Sequence, residues 1–183
     1  MASVTNYRGG DTREVLMKAS ATYPFEKGDL LFKDPVTGYV MPASIRSNHG
    51  TEALNQTAFA QYFAGVALVK NGLQTGETSF RLVTADSEVR VATAGRFEFE
   101  CDSQTFGPGD LIAVAADTAG CSDQKVDAAS TSGSLQEERA IGRAVPGVAG
   151  LAGATTRIVI EIKSRIMDAD VATAGTYSGT SGQ

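Results

Sequence analysis

The stretch that decides the fold is EVRVATAGRFEFEC, residues 88–101. Its apolar and polar side chains alternate with a period of two, which is the pattern of a half-buried β-strand. The apolar face comprises Val89, Val91, Phe97, Phe99 and Cys101. A register slip of one residue would carry Phe97 and Phe99 into water, so the pairing of this strand is firmly specified. We therefore predict a central strand here.

A second strand of the same kind is predicted near the end of the chain. The segment TTRIVIEIKSRI, residues 155–166, places Ile158, Ile160 and Ile162 on one face and is rich in β-branched residues. Such residues favour strands because their side chains pack well on a pleated sheet. This segment is predicted to be another central strand.

Turn residues divide the rest of the chain into short strands. Residues 34–38 read DPVTG, in which Pro fixes φ near −65° and Gly accepts a positive φ. This turn predicts a hairpin between a strand at 30–33 and a strand at 39–41. The Gly-Asp pairs at 28–29 and 109–110 each precede an apolar run and indicate turns that lead into strands.

A weak internal repeat follows the same turns. Residues 27–43 resemble residues 108–126, with a Gly-Asp turn, an apolar strand, a short turn and a further strand. Each copy is followed by a strand of small residues, at 62–69 and at 140–150. We interpret the pattern as two related β-units in one domain. Chance use of the same turns is the alternative.

Helical patterns are short, at 54–63 and 135–141. The sequence therefore predicts an all-β fold: a single compact β-barrel or β-sandwich-like domain with hairpins and at most short helices. The predicted domain covers residues 20–166. It lies between an extended N-terminal arm of residues 1–19 and a C-terminal tail of residues 167–183 that is rich in Gly, Ser and Thr.

Composition narrows the possible functions. The 183 residues carry 16 Lys and Arg against 21 Asp and Glu, a formal net charge of −5. This balance argues against sequence-independent binding to nucleic acid, which needs clustered cations. No apolar run approaches the roughly 18 residues that cross a bilayer, and residues 1–10 lack the apolar core of a signal peptide. We expect association with neither nucleic acid nor membrane.

The groups that usually carry chemistry are sparse. The chain has two cysteines, Cys101 and Cys121, and one histidine, His49. A structural zinc site usually needs four such ligands, so we interpret the cysteines as small buried side chains and His49 as a loop residue. A disulfide or redox pair is the alternative for the cysteines. Motifs for nucleotides, calcium or a zinc protease are absent, and we expect no catalytic residue, cofactor or metal.

The order of the motifs resembles the small phage capsid decoration, or cement, proteins of the DUF2190 family. The segments that carry this resemblance are EVRVATAGRFEFE (88–100), GPGDLIAVAADTAGCSDQKVD (107–127), AIGRAV (140–145) and ATTRIVIEI (154–162). They are similar to the family's paired strand, Gly-Asp hairpin, IGxA strand and terminal strand, in that order. The segments 45–61 and 128–139 and the C-terminal tail depart from the family pattern.

The resemblance implies a non-enzymatic virion protein. Members of that family sit on the outside of an icosahedral phage head, often as homotrimers, and clamp neighbouring copies of the major capsid protein. The implied location is the host cytoplasm during assembly and the outer capsid surface afterwards. The candidate contact residues are Tyr7 and Arg8 in the arm and Tyr177 in the tail, since Tyr and Arg are enriched at binding hot spots.

Two alternatives stay open. One is another virion component, such as the base of a head fibre or a part of the tail. The other is a small β-domain hydrolase that uses carboxylates such as Asp29 or Asp110. Each of these aspartates follows a glycine in a turn, where the side chain commonly caps its own backbone. We therefore interpret both as turn residues.

Overall fold

The computed structural model describes residues 6–71, 88–133, 135–145 and 154–168. The strands within these residues are β1 (Asn6–Lys18), β2 (Leu30–Lys33), β3 (Val40–Pro42), β4 (Phe63–Ala67), β5 (Glu88–Gln104), β6 (Leu111–Ala116), β7 (Cys121–Ala128), β8 (Gly142–Ala144) and β9 (Thr155–Lys163). The helical elements are a 3-10 turn (Ala43–Ile45), α1 (Glu52–Gln61), α2 (Gln136–Arg139) and α3 (Arg165–Asp168). Strands dominate and the helices are short, which confirms the predicted compact all-β domain.

The strand predicted from the alternating stretch is β5, which extends over 17 residues. Its C-terminal half belongs to a closed barrel of five strands in the order β5-β7-β6-β8-β9. The barrel closes because β9, the other predicted central strand, pairs antiparallel with β5, with Phe97 opposite Ile160. Closure removes the free strand edges that a flat sheet would expose.

The remaining strands build a first unit on the N-terminal half of β5. Strand β4 pairs with β5, β2 with β4, and β3 with β2, all antiparallel. Strand β1 pairs with the opposite edge of β5. Directly after β1, Ala19 forms a parallel bridge to Val40 in β3. The first unit, which comprises β1 to β4 and the N-terminal half of β5, therefore has the same strand order as the barrel. The two units share β5.

The two units repeat one pairing scheme, which confirms the internal repeat. The β2–β3 hairpin corresponds to β6–β7, β4 corresponds to β8, and β5 in the first unit corresponds to β9 in the barrel. The turns before the hairpins also match. The Gly28 amide donates to the Ala67 carbonyl at 2.8 Å, and the Gly109 amide donates to the Ala144 carbonyl at 2.9 Å.

Close approach of two backbones determines the position of β4 in the first unit and of β8 in the barrel. A Cβ atom on Gly65 in β4 would lie 2.1 Å from the carbonyl oxygen of Ala92. A Cβ atom on Gly142 in β8 would lie 2.4 Å from the carbonyl oxygen of Glu161. Both distances are well inside van der Waals contact, so any side chain there would force the strands apart. The two units thus require glycine at corresponding places.

We predict that Gly142→Ala lowers the free energy of unfolding by about 3 kcal/mol, because the added methyl group overlaps backbone atoms of β9 that cannot rotate away. Urea unfolding followed by circular dichroism measures the loss. The control is Gly50→Ala in an exposed loop, where the added Cβ meets no atom within 4 Å and only the left-handed φ costs about 1 kcal/mol. Equal losses in the two variants would contradict the prediction.

The described residues contain two hydrophobic clusters. The smaller cluster lies inside the first unit and includes Leu31, Val40 and Val91. The larger cluster includes barrel residues such as Ile112 and also Phe59 of α1. Helix α1 therefore packs onto the same core as the barrel, which explains why a short helix is retained in a β architecture.

The predicted alternation along β5 is confirmed with one exception. All five residues of the predicted apolar face are buried. On the polar face Glu88, Arg90 and Arg96 are exposed, but Glu98 is only 8% exposed. The sequence pattern places Glu98 in water, whereas the structure covers it, because β1 and β9 flank β5 on both edges at this residue.

The N-terminal segment belongs to the sheet. From Asn6 onward the predicted arm is β1, which pairs with β5 of the same chain, so its own domain holds it in place. Of the predicted tail, Met167 and Asp168 end α3 and residues 169–183 lie outside the described residues. The division into arm, domain and tail stays a prediction.

Candidate functional site

The outer edge of β1 is the candidate functional site. One edge of β1 pairs with β5 from Asn6 to Lys18, with register shifts in the first half of the strand. Among the described residues, no strand pairs with its other edge before the bridge between Ala19 and Val40. Such an edge presents a row of backbone N–H and C=O groups with which another extended chain can pair. The geometry therefore fits strand addition by a partner.

Strand β1 has an irregular half and a regular half. Register shifts interrupt its first half, and Gly9 and Gly10 have φ values of 116° and 87°, which other residues rarely adopt. Irregularities of this kind bend an edge and discourage unwanted pairing. From Glu14 to Lys18 the pairing with β5 is regular. The regular half is thus the part of the edge best suited to a partner strand.

The regular half carries an exposed apolar side chain. Leu16 is 59% exposed and lies opposite Arg90, whose guanidinium forms an ion pair with Glu14. The next residue, Met17, packs against the core of the first unit. One face of β1 is therefore anchored in the domain. The other face combines an apolar side chain with a charge pair, as an interface with a polar rim does.

A buried carboxylate fastens the irregular half. Glu98 Oε2 accepts a hydrogen bond from Arg8 Nε at 2.6 Å, and Glu98 Oε1 accepts one from Arg157 Nη1 at 3.2 Å. A carboxylate withdrawn from water needs such partners, since an unpaired buried charge is costly. These bonds join β1, β5 and β9 side by side. The Arg8 guanidinium thereby holds the N-terminal strand on the domain.

We predict that Glu98→Gln loosens β1, because a neutral amide replaces two charge-assisted hydrogen bonds with weaker ones. Hydrogen exchange measured by mass spectrometry should become about tenfold faster over residues 6–13. The control is Glu100→Gln, which removes a more exposed carboxylate that contacts Arg157 at 3.5 Å. If exchange in β1 is the same in both variants, Glu98 does not fasten the strand.

Two of the three predicted contact residues lie next to each other in β1. Tyr7 occupies a position in β1 opposite Phe97. Arg8 binds Glu98 within the chain, and its side chain remains 51% exposed. Tyr177 lies outside the described residues. The role of all three in partner contact stays a prediction. The sequence did not single out Leu16 or Glu98 as site residues, because strand periodicity alone does not show which strands lie next to each other.

The two aspartates of the hydrolase alternative cap their own turns, as expected. Asp29 Oδ2 accepts from the Glu26 amide at 2.7 Å, and Asp110 Oδ2 accepts from the Gly107 amide at 2.6 Å. Asp110 is exposed, but Asp29 is buried and its Oδ1 accepts from Gln124 Nε2 in β7 at 2.6 Å. Burial raises the pKa of Asp29 to about 6. Asp29 therefore ties the first unit to the barrel.

We predict that ionisation of Asp29 lowers the free energy of unfolding as the pH rises from about 4 to 6. Burial raises its pKa in the folded protein to about 6 from an ordinary value of 3.8. The unfolded chain therefore releases this proton first, and the stability that the group provides at low pH is lost as the pH rises. Relative to wild type, Asp29→Asn should gain about 2 kcal/mol of unfolding free energy between pH 4 and pH 7.

Urea unfolding at a series of pH values measures this difference. The matched control is Asp110→Asn, which makes the same substitution in the corresponding turn at the surface. Parallel pH profiles for wild type and Asp29→Asn would show that burial of Asp29 does not control stability in this range.

Both cysteines are free thiols, which agrees with their interpretation as small buried side chains. Cys101 is buried in β5, and Cys121 is half-buried at the start of β7. Burial raises the pKa of each thiol to about 11, so both remain protonated near neutral pH and react slowly. His49 is exposed in the loop before α1, as predicted.

In the described ranges, no group of three or more His, Cys, Asp and Glu side chains is placed to hold a metal ion. The helices described there include none that is both long and apolar enough to span a membrane. Comparisons with protein-family models, with curated proteins and with solved structures found no match to this chain.

Proposed function

We propose that this chain is a virion structural protein that decorates the outer surface of an icosahedral phage head and clamps neighbouring major capsid subunits. The observation that carries the proposal is the outer edge of β1, with which no other described strand pairs before Ala19. This strand has 13 residues, is fastened to the domain along one edge and leaves Leu16 exposed. A clamp needs such a surface, because strand addition joins two proteins through backbone hydrogen bonds.

The architecture behind this edge suits a clamp. Because β5 runs through both units, no linker separates them, and a load applied to β1 passes directly into the closed barrel. The Arg8–Glu98–Arg157 contacts resist peeling of the irregular half. The net charge of −5 suits an outer surface, where a protein makes no contact with packaged DNA.

The assembly proposed is a homotrimer bound to the major capsid protein. Many copies on one shell allow individually weak contacts to act together. The protein would reside in the host cytoplasm during assembly and on the outer capsid surface afterwards. Tyr7, Arg8 and Tyr177 remain proposed partner contacts, alongside the regular edge of residues 14–18.

Co-sedimentation with empty shells of the major capsid protein from the same genome tests the proposal. We expect wild-type protein to bind saturably, and analytical ultracentrifugation of the free protein should give three times the chain mass. Leu16→Lys places a charge in the buried contact and should reduce shell occupancy at least about tenfold. Deletion of residues 1–10 should also reduce occupancy.

The matched control is Leu54→Lys on α1, because Leu54 is 54% exposed and so resembles Leu16 in chemistry and exposure. Its occupancy should equal that of wild type. Thermal unfolding of each variant shows that loss of binding is not loss of folding. A monomer that ignores the shells would overturn the proposal, and equal binding by Leu16→Lys and wild type would remove β1 from the contact.

A further inference from the structure

A surface cavity of about 490 Å³ lies where β1 ends. One wall is formed by residues 20–23, directly after β1, and the others by the β2–β3 turn and the 3-10 turn that follows β3. Tyr23, Phe32 and Tyr39 line it with aromatic rings, and Arg46 lines it with a guanidinium. Aromatic walls with a small number of polar and charged groups are typical of a binding cavity.

The guanidinium of Arg46 stacks on two aromatic rings. Its guanidinium carbon lies 5.3 Å from the centre of the Phe32 ring and 5.0 Å from that of the Tyr62 ring. Its Nε is buried and has no hydrogen-bond partner in the described part of the chain. Buried donors are nearly always paired, because an unpaired one costs about 1–3 kcal/mol. The arrangement therefore calls for an acceptor.

The nearest acidic group of the cavity does not fill this need. Asp34 lines the cavity too, but its Oδ2 accepts from the Thr37 hydroxyl at 2.6 Å and from the Thr37 amide at 3.0 Å. It is not within ion-pair distance of Arg46, and neither is any other carboxylate of the described residues. The guanidinium keeps its capacity for a carboxylate from outside.

The internal repeat offers a comparison within the chain. In the barrel, the turn corresponding to the β2–β3 turn is bound by two asparagines: Asn48 Nδ2 donates to the Thr118 carbonyl at 2.6 Å, and Asn55 Nδ2 donates to the Asp117 carbonyl at 2.7 Å. The β2–β3 turn instead borders the cavity and Arg46. The two units thus differ in what lies beside this turn.

We propose that this cavity binds an acidic residue beside an aromatic residue on an extended peptide segment. A planar guanidinium fixed on rings matches a carboxylate through paired hydrogen bonds, and the remaining rings suit an aromatic neighbour. The segment would belong to the partner that pairs with β1, because the cavity wall continues from that strand. In this respect the inference rests on the proposed function.

Titration of ¹⁵N-labelled full chain with acetyl-Tyr-Asp-amide tests the cavity by itself, because this probe is too short to pair along β1. We expect saturable chemical-shift changes at residues 20–23 and 37–46, with a dissociation constant on the order of 1 mM. The matched probe acetyl-Tyr-Asn-amide, which lacks the charge, should bind at least about tenfold more weakly.

Two variants assign the effect to the guanidinium. Arg46→Gln should abolish the preference for the acidic probe, and Arg46→Lys should keep part of it, since the charge remains but the planar fork is lost. The control is Arg143→Gln, which removes an exposed arginine from β8 and should change nothing. Thermal unfolding checks that each variant is folded.

Equal binding of the two probes, binding that survives Arg46→Gln, or shifts elsewhere on the surface would each overturn the inference. So would an absence of binding at probe concentrations of about ten times the expected dissociation constant. These outcomes are separate from the test of the proposed function, because the shell-binding assay depends on Leu16 and the peptide titration depends on Arg46.

Discussion

The structure depends on β5 being paired along both of its edges. Its N-terminal half lies between β1 and β4, and its C-terminal half continues into the barrel beside β9. Buried backbone amides and carbonyls must be paired, so a shift of this one strand would break pairings in both units at once. The strict alternation of its side chains prevents such a shift, because it would also expose Phe97 and Phe99.

The ion pairs around Glu98 follow from the position of β5 between two neighbouring strands. With neighbours on both edges, the carboxylate is withdrawn from water, and its desolvation is offset by two guanidinium groups from opposite sides. The same contacts hold β1 against the domain and so leave its other edge outward. The candidate partner surface is therefore a consequence of how the core strand is enclosed.

The two units share a topology and differ where they meet. Asp29 and Asp110 occupy corresponding turns, yet only Asp29 is buried, because Gln124 of the barrel reaches it. Asn48 in the loop before α1 hydrogen-bonds to the barrel's hairpin turn, whereas the first unit's turn borders the cavity beside Arg46. The contact between the units thus produces the features that distinguish them.

Much of the fold could be predicted from local sequence. Strands β5 and β9, the hairpin that starts at β2, the repeat and the helices α1 and α2 were predicted, because side-chain periodicity and turn chemistry act over a few residues. Strand β1 was predicted only as an arm. Its glycines and charges interrupt the alternation, and its pairing partner lies about 80 residues away in β5.

The sequence by itself determined the central strands β5 and β9 and the repeated hairpin, since each depends on a few neighbouring residues. Tertiary structure alone decided three things: that Glu98 is buried, that Leu16 lies beside an edge with which no other described strand pairs, and that the buried Arg46 Nε has no hydrogen-bond partner among the described residues. The physical reason is the same for all three. Burial and pairing depend on atoms brought together from distant segments, and the candidate function lies in those long-range contacts.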